Sequence, residues 1–170
     1  MKDGKRAGPG RRLLPVSILT GFLGSGKTTV LNHLIQQPAL RRTLVIVNEF
    51  GAIGLDHDLM AQCTDDVIIE MSSGCLCCTI RGDLAQTLRE APGSFADEPG
   101  GAPWFDRVVI ETTGLADPAP ILHTLMTDEG VARRYRLDGV IATVDAVNGA
   151  DTLDRQIESV KQAAVADRLL

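Results

Sequence analysis

Five short apolar runs rich in β-branched residues recur along the chain, at 16–19, 43–47, 67–70, 107–111 and 140–144. They predict strands. The longer segments between them carry apolar positions at helical spacing and predict helices over 27–37, 83–90, 119–126 and 152–164. Runs such as Leu44, Val45, Ile46, Val47 and Val108, Val109, Ile110 show no polar alternation, so both faces of each strand must be covered. That requirement selects a doubly wound α/β fold, a mostly parallel sheet with helices on both faces. The Gly- and Pro-rich stretch 92–103 predicts a surface loop without internal structure. Leu169 and Leu170, after Asp167 and Arg168, predict the start of one more buried strand, at which the chain stops.

Composition narrows the class. A chain of 170 residues that is 44% hydrophobic and 23% charged can bury one core, which excludes a disordered tail and a disulfide-stapled miniprotein. Residues 13–170 are expected to form that single domain. Residues 1–12 hold Lys2, Lys5, Arg6, Arg11 and Arg12 against Asp3 and are expected to be a disordered basic arm. The formal charge of the whole chain is −5, so the body is more acidic than that total, and it lacks the basic face a nucleic-acid groove requires. The most apolar candidate for a membrane span is interrupted by Pro15 and Ser17. A cytoplasmic location is expected, with reduced cysteines.

The first chemical signal is Gly21, Phe22, Leu23, Gly24, Ser25, Gly26, Lys27, Thr28, the G-x-x-x-x-G-K-[ST] pattern between a strand and a helix. Glycines let successive amides turn toward phosphate oxygens, and the helix that follows adds the positive end of its dipole. Lys27 is expected on the β- and γ-phosphates, Thr28 on Mg2+, and Thr29 near the α-phosphate. Hydrolysis also needs a group that places water and one that meets developing charge. Glu111 leaves the end of an apolar strand, where ligand crevices open, and Gly114 follows three residues later with an amide suited to a γ-phosphate. Asp145 reads equally as a site acid or a helix-capping residue. His33 and His123 read as packing or surface residues.

The second signal is Gly74, Cys75, Leu76, Cys77, Cys78, three thiols within four residues after a strand. Thiolates at this density suit Zn2+, with Co2+ or Cu+ as alternatives, and a tetrahedral site needs a fourth ligand from Glu49, Asp56, His57 or Cys63. Apolar packing and redox sensing remain as other readings of the cluster. Residues 48–57 mix glycines with acids beside the expected phosphate site and read as a switch loop containing Glu49.

Taken in order, Gly21 to Thr28, Asn48 to Gly51, Gly74 to Cys78 and the ETTGLADP string from Glu111 to Pro118 resemble the CobW-like branch of the CobW/HypB/UreG nucleotide-binding proteins. The resemblance covers essentially the whole chain. It implies a P-loop GTPase using GTP and Mg2+ that carries Zn2+ or Co2+ on Cys75, Cys77 and Cys78. The ion would pass to a client protein or cofactor pathway, and nucleotide-dependent homodimerisation would accompany the cycle. It also implies that Glu111 serves the water-and-Mg2+ motif and Glu49 the switch. Val47 and Ala52 stand where some members carry acids, and the chain is expected to stop before the guanine-reading motif and the smaller C-terminal domain. Two alternatives stand beside the GTPase metallochaperone: an ATP-dependent P-loop phosphotransferase, and a non-catalytic carrier or sensor whose thiols are gated by nucleotide.

Overall fold

The computed structural model describes residues 12–48, 67–70, 79–94 and 103–170. Among them, six strands form one sheet: β1 (Leu14–Gly21), β2 (Thr43–Asn48), β3 (Val67–Glu70), β4 (Arg107–Thr112), β5 (Tyr135–Thr143) and β6 (Arg168–Leu169). The order is β3-β2-β4-β1-β5-β6, and every neighbouring pair runs parallel. The chain leaves the central β1 toward one edge, returns through β4, and completes the other edge with β5 and β6. Crevices consequently open beyond the carboxyl ends of β1, β4 and β5, the usual ligand position in such sheets.

Each central strand feeds two cores because successive side chains point to opposite faces. On one face Val16, Ile18, Leu44, Ile46, Val108 and Ile110 pack with Leu84 and Leu88 of α2 (Thr79–Ser94), Ile121 and Leu125 of α3 (Ala119–Thr127), Phe105 and Tyr135. On the other, Leu19, Val45, Val47 and Val109 pack with Leu31 and Ile35 of α1 (Lys27–Ile35). The doubly wound architecture expected from the uninterrupted apolar runs is the one observed.

Three expectations change. Helix α2 runs through Pro92 to Ser94, so residues 92–94 are not loop. Its apolar stripe, which includes Leu84, Leu88 and Ala91, keeps the helix on the sheet to its last turn and offsets the bond that Pro92 cannot donate. Residues 95–102 lie outside the described set. The single helix expected over 152–164 is two, α5 (Gly149–Arg155) and α6 (Ile157–Ala164), separated by Gln156 in extended conformation at φ −120°, ψ 109°. The last strand, β6, is exposed: Leu169 and Leu170 keep 58% and 60% of their surface. Among the described residues it pairs with β5, at Ile141 and Ala142, and Leu170 extends the ladder by donating to the Ala142 carbonyl at 3.0 Å.

Strand β5 also begins five residues before its apolar run, at Tyr135. Its first half has β1 on one side and no partner from β6, which explains the exposed Arg136 and Asp138 there. A short helix, α4 (Glu129–Ala132), precedes it and is capped by Asp128, whose Oδ1 accepts from the Val131 amide at 3.0 Å. Among the described residues no helix is long and apolar enough to cross a membrane.

Candidate functional site

Strand β1 delivers the chain to the turn at 22–26, and α1 begins at Lys27. Gly24 and Gly26 sit at φ 74° and 92°, a region that L side chains disfavour, so the turn depends on them. The Ser25 amide donates to the Phe22 carbonyl at 3.1 Å and closes the turn. No side chain caps the start of α1, and no acid lies in its first turn. Its leading amides and dipole therefore face the turn with no acid of the helix itself in the way, an arrangement that attracts an anion. Lys27 is buried, and its Nζ arches back to donate to the Phe22 carbonyl at 3.2 Å. Thr29 is exposed on the same turn.

Beneath the turn lies a belt of hydroxyls. Ser25 Oγ and Thr143 Oγ1 are 2.6 Å apart, Thr143 Oγ1 donates to the Thr20 carbonyl at 3.3 Å, and Thr112 Oγ1 donates to Thr20 Oγ1 at 2.8 Å. The belt joins β1, β4 and β5 at their carboxyl ends. Gly21 belongs to it by necessity: a β-carbon there would collide with Thr143 Oγ1 and stand 2.7 Å from Ser25 Oγ. A crevice beside the turn is lined by Phe22, Leu23, Ser25, Thr143, Asp145 and Asn148.

Glu111 leaves β4 almost fully buried, at 1% exposure, and its Oε1 accepts from Thr28 Oγ1 at 2.9 Å. The residue pair expected to serve one site is thus in direct contact. A hydroxyl beside a carboxylate is an oxygen donor set that fits a hard cation such as Mg2+.

The loop after β4 is pressed onto the glycine-rich turn. At Gly114 a β-carbon would lie 2.7 Å from the Leu23 nitrogen and 2.8 Å from its α-carbon, so only glycine permits this approach. From behind, Gln162 of α6 holds the same loop: its Nε2 donates to the carbonyls of Gly114 at 3.1 Å and Ala116 at 3.0 Å. Asp117 ends the loop, accepting from the Ala119 amide at 2.9 Å and from Lys161 Nζ at 3.0 Å. The Ala119 amide above all, against the opposing effect of burial and with further help from the Lys161 ammonium, holds its carboxyl below the usual range.

Asp145 accepts from the amides of Val147 at 2.8 Å and Asn148 at 3.1 Å and from Asn148 Nδ2 at 2.8 Å. Those bonds, the Asn148 side chain first, lower its pKa. It organises the turn before α5, whose cap position is Asn148, so Asp145 acts as a turn residue and not as the cap itself. His33 and His123 are exposed, and among the described residues their rings meet Gln37 and Thr127, four positions further on. Sequence reasoning missed Thr143, Lys161 and Gln162. A Thr at a strand end and polar residues on an amphipathic helix carry no local signal.

Glu49, Cys75, Cys77 and Cys78 lie outside the described residues, as do Asp56, His57 and Cys63. Among the described residues no group of three or more His, Cys, Asp or Glu side chains is placed to hold a metal ion.

Comparison with known proteins agrees with this geometry. The family model of the CobW/HypB/UreG, nucleotide-binding domain matches residues 15–170. The chain is 39% identical over 157 residues to the zinc chaperone YjiA of Escherichia coli, covering 92% of this chain and 48% of that protein. It is 38% identical over 141 residues to the zinc chaperone CobW of Pseudomonas aeruginosa, covering 78% and 36%. The crystal structure of the Zn(II)-bound YjiA GTPase superposes with a TM-score of 0.64 at 31% identity, over 93% of this chain and 48% of that one. The chain spans less than half the length of either relative.

Proposed function

Because the chain belongs to the CobW/HypB/UreG nucleotide-binding family, we propose that it binds and hydrolyses GTP and couples that cycle to carriage of Zn2+ or Co2+. The observation that carries the nucleotide half is the Thr28–Glu111 hydrogen bond beneath an uncapped, acid-free helix start. Backbone amides of Gly21, Gly24, Ser25 and Gly26 surround the phosphates, Lys27 neutralises the β- and γ-phosphates, and Thr29 supports the α-phosphate side. The Gly114 amide meets the γ-phosphate, and Glu111 orients the attacking water from its place against Thr28. Thr28, with Glu49 from the switch, would hold Mg2+, which when bound offsets charge on the phosphate oxygens.

The metal half rests on the chemistry of Cys75, Cys77 and Cys78 and on relatives named as zinc chaperones. Those thiols need a reducing compartment such as the cytoplasm. The ion passes to a client protein or cofactor pathway, with nucleotide-dependent pairing of two copies as the state that is released on hydrolysis. A Zn2+ and Co2+ competition titration on the full-length protein, with and without Mg2+ and a GTP analogue, tests the coupling. Phosphate release from GTP and ATP is measured alongside. GTP turnover that disappears in Lys27→Ala, with tighter metal binding in the analogue state, is expected. Preference for ATP would identify a phosphotransferase, and metal binding without turnover a nucleotide-gated carrier.

A further inference from the structure

The glycine-rich turn and the loop after β4 meet at Leu23 and Gly114, and nothing in the family pattern of motifs explains what holds that meeting from the far side. The structure answers with α6. Gln162 is 1% exposed, and both Nε2 donor positions are spent on carbonyls of the loop, at Gly114 and Ala116. Among the described residues its Oε1 has no hydrogen-bond partner although it is buried. A buried amide with an unsatisfied oxygen is unfavourable unless the orientation of its nitrogen is fixed by stronger bonds elsewhere. One position earlier, Lys161 reaches Asp117 at the end of the same loop. Two adjacent side chains of α6 therefore grip the two ends of residues 114–117.

The carbonyl of Gly114 belongs to the residue that packs directly against Leu23 of the turn, so fixing it limits rotation of that residue about its backbone. We propose that Gln162 is a positioning residue for nucleotide hydrolysis: through the Gly114 and Ala116 carbonyls it sets where the Gly114 amide stands relative to a terminal phosphate. The proposal rests on the GTPase reading above. Its signature is selectivity for the third phosphate, since a diphosphate offers the Gly114 amide no partner.

The test uses the full-length protein with Gln162→Ala, Gln162→Glu and wild type. Removing the donor pair is expected to lower kcat and the affinity for a non-hydrolysable GTP analogue by about tenfold, and to leave GDP affinity within about twofold. Gln162→Glu, which sets an acceptor against two carbonyls, should be the more impaired of the two. Loss of thermal stability with GDP and analogue affinities falling together would reveal a packing role only and overturn the proposal. So would unchanged analogue affinity and kcat. Lys161→Met, which cuts the second grip, is expected to show the same selectivity more weakly; a uniform effect on both nucleotides there counts against it. Failure of the GTPase reading itself would look different, as a wild-type protein with no response to the third phosphate.

Discussion

Thr28 and Glu111, 83 positions apart in sequence, share a 2.9 Å hydrogen bond that ties the first turn of α1 to the end of β4. Glu111→Gln keeps an acceptor for Thr28 and removes the charge, so folding and nucleotide affinity should survive while water activation does not. A fall in kcat of about 100-fold or more is expected, with KM for GTP changed little. Single-turnover phosphate release is the measurement, and a rate near that of wild type would remove Glu111 from the chemistry.

Gly114→Ala places a methyl group against the Leu23 backbone, which is part of a closed turn and has little room to move. Overpacking of this kind costs about 1–3 kcal/mol. Urea unfolding should show that loss. Because the displaced loop moves away from the terminal phosphate, GTP-analogue affinity should fall further than GDP affinity.

Asp117 supplies a pH-dependent term. Its carboxyl pKa is lowered in the folded chain, so its contribution is complete above the unfolded-state value and disappears as pH falls through the folded one. Asp117→Ala should lower stability by about 0.5–1.5 kcal/mol near neutrality through loss of its bond to the Ala119 amide at the start of α3. The gap between variant and wild type should shrink as the pH is lowered below about 4. High salt should remove only the smaller share that belongs to Lys161, which is half exposed.

Tyr135 is buried, and among the described residues its hydroxyl has no hydrogen-bond partner. Burial raises its pKa, and the neutral phenol persists across the working pH range. Tyr135→Phe removes an unsatisfied polar group at constant shape and should leave stability unchanged or higher by up to about 1 kcal/mol. Leu88→Ala, in the same core layer, should instead cost about 2–5 kcal/mol. Parallel denaturant titrations of the two variants compare these outcomes directly.

For the thiols, Cys77→Ser is expected to weaken Zn2+ or Co2+ binding by about tenfold or more in the triphosphate state. An unchanged metal titration would leave the cluster to packing or redox chemistry.

Much of this scaffold was readable from residue order. Central strands such as β2 and β4 are covered on both faces, so their burial appears as unbroken apolar runs, and the glycine-rich turn sits where strand gives way to helix. The first half of β5 was hidden because it lacks a neighbour on one side and carries Arg136 and Asp138. The break at Gln156 was hidden too, since neither Gly nor Pro marks it. Pro92 misled in the other direction: packing of Ala91 and Leu88 outweighs a local preference that acts on only the last turn. Within the site, glycines and charged residues with fixed spacing were legible, whereas Thr143 and Gln162 act through contacts across 118 and 48 positions. No local window contains both partners.

The hydroxyl belt formed by Ser25, Thr143, Thr20 and Thr112 has a practical corollary for anyone wishing to harden this scaffold. Its shape is specified by the direction of bonds, whereas the aliphatic layers above and below the sheet are specified by volume. Volume-conserving exchanges in those layers should therefore cost under about 1.5 kcal/mol and leave the aim of the glycine-rich turn alone, whereas a single Thr143→Val exchange, which strands the Ser25 hydroxyl and the Thr20 carbonyl, should blunt nucleotide handling and lower heat resistance together.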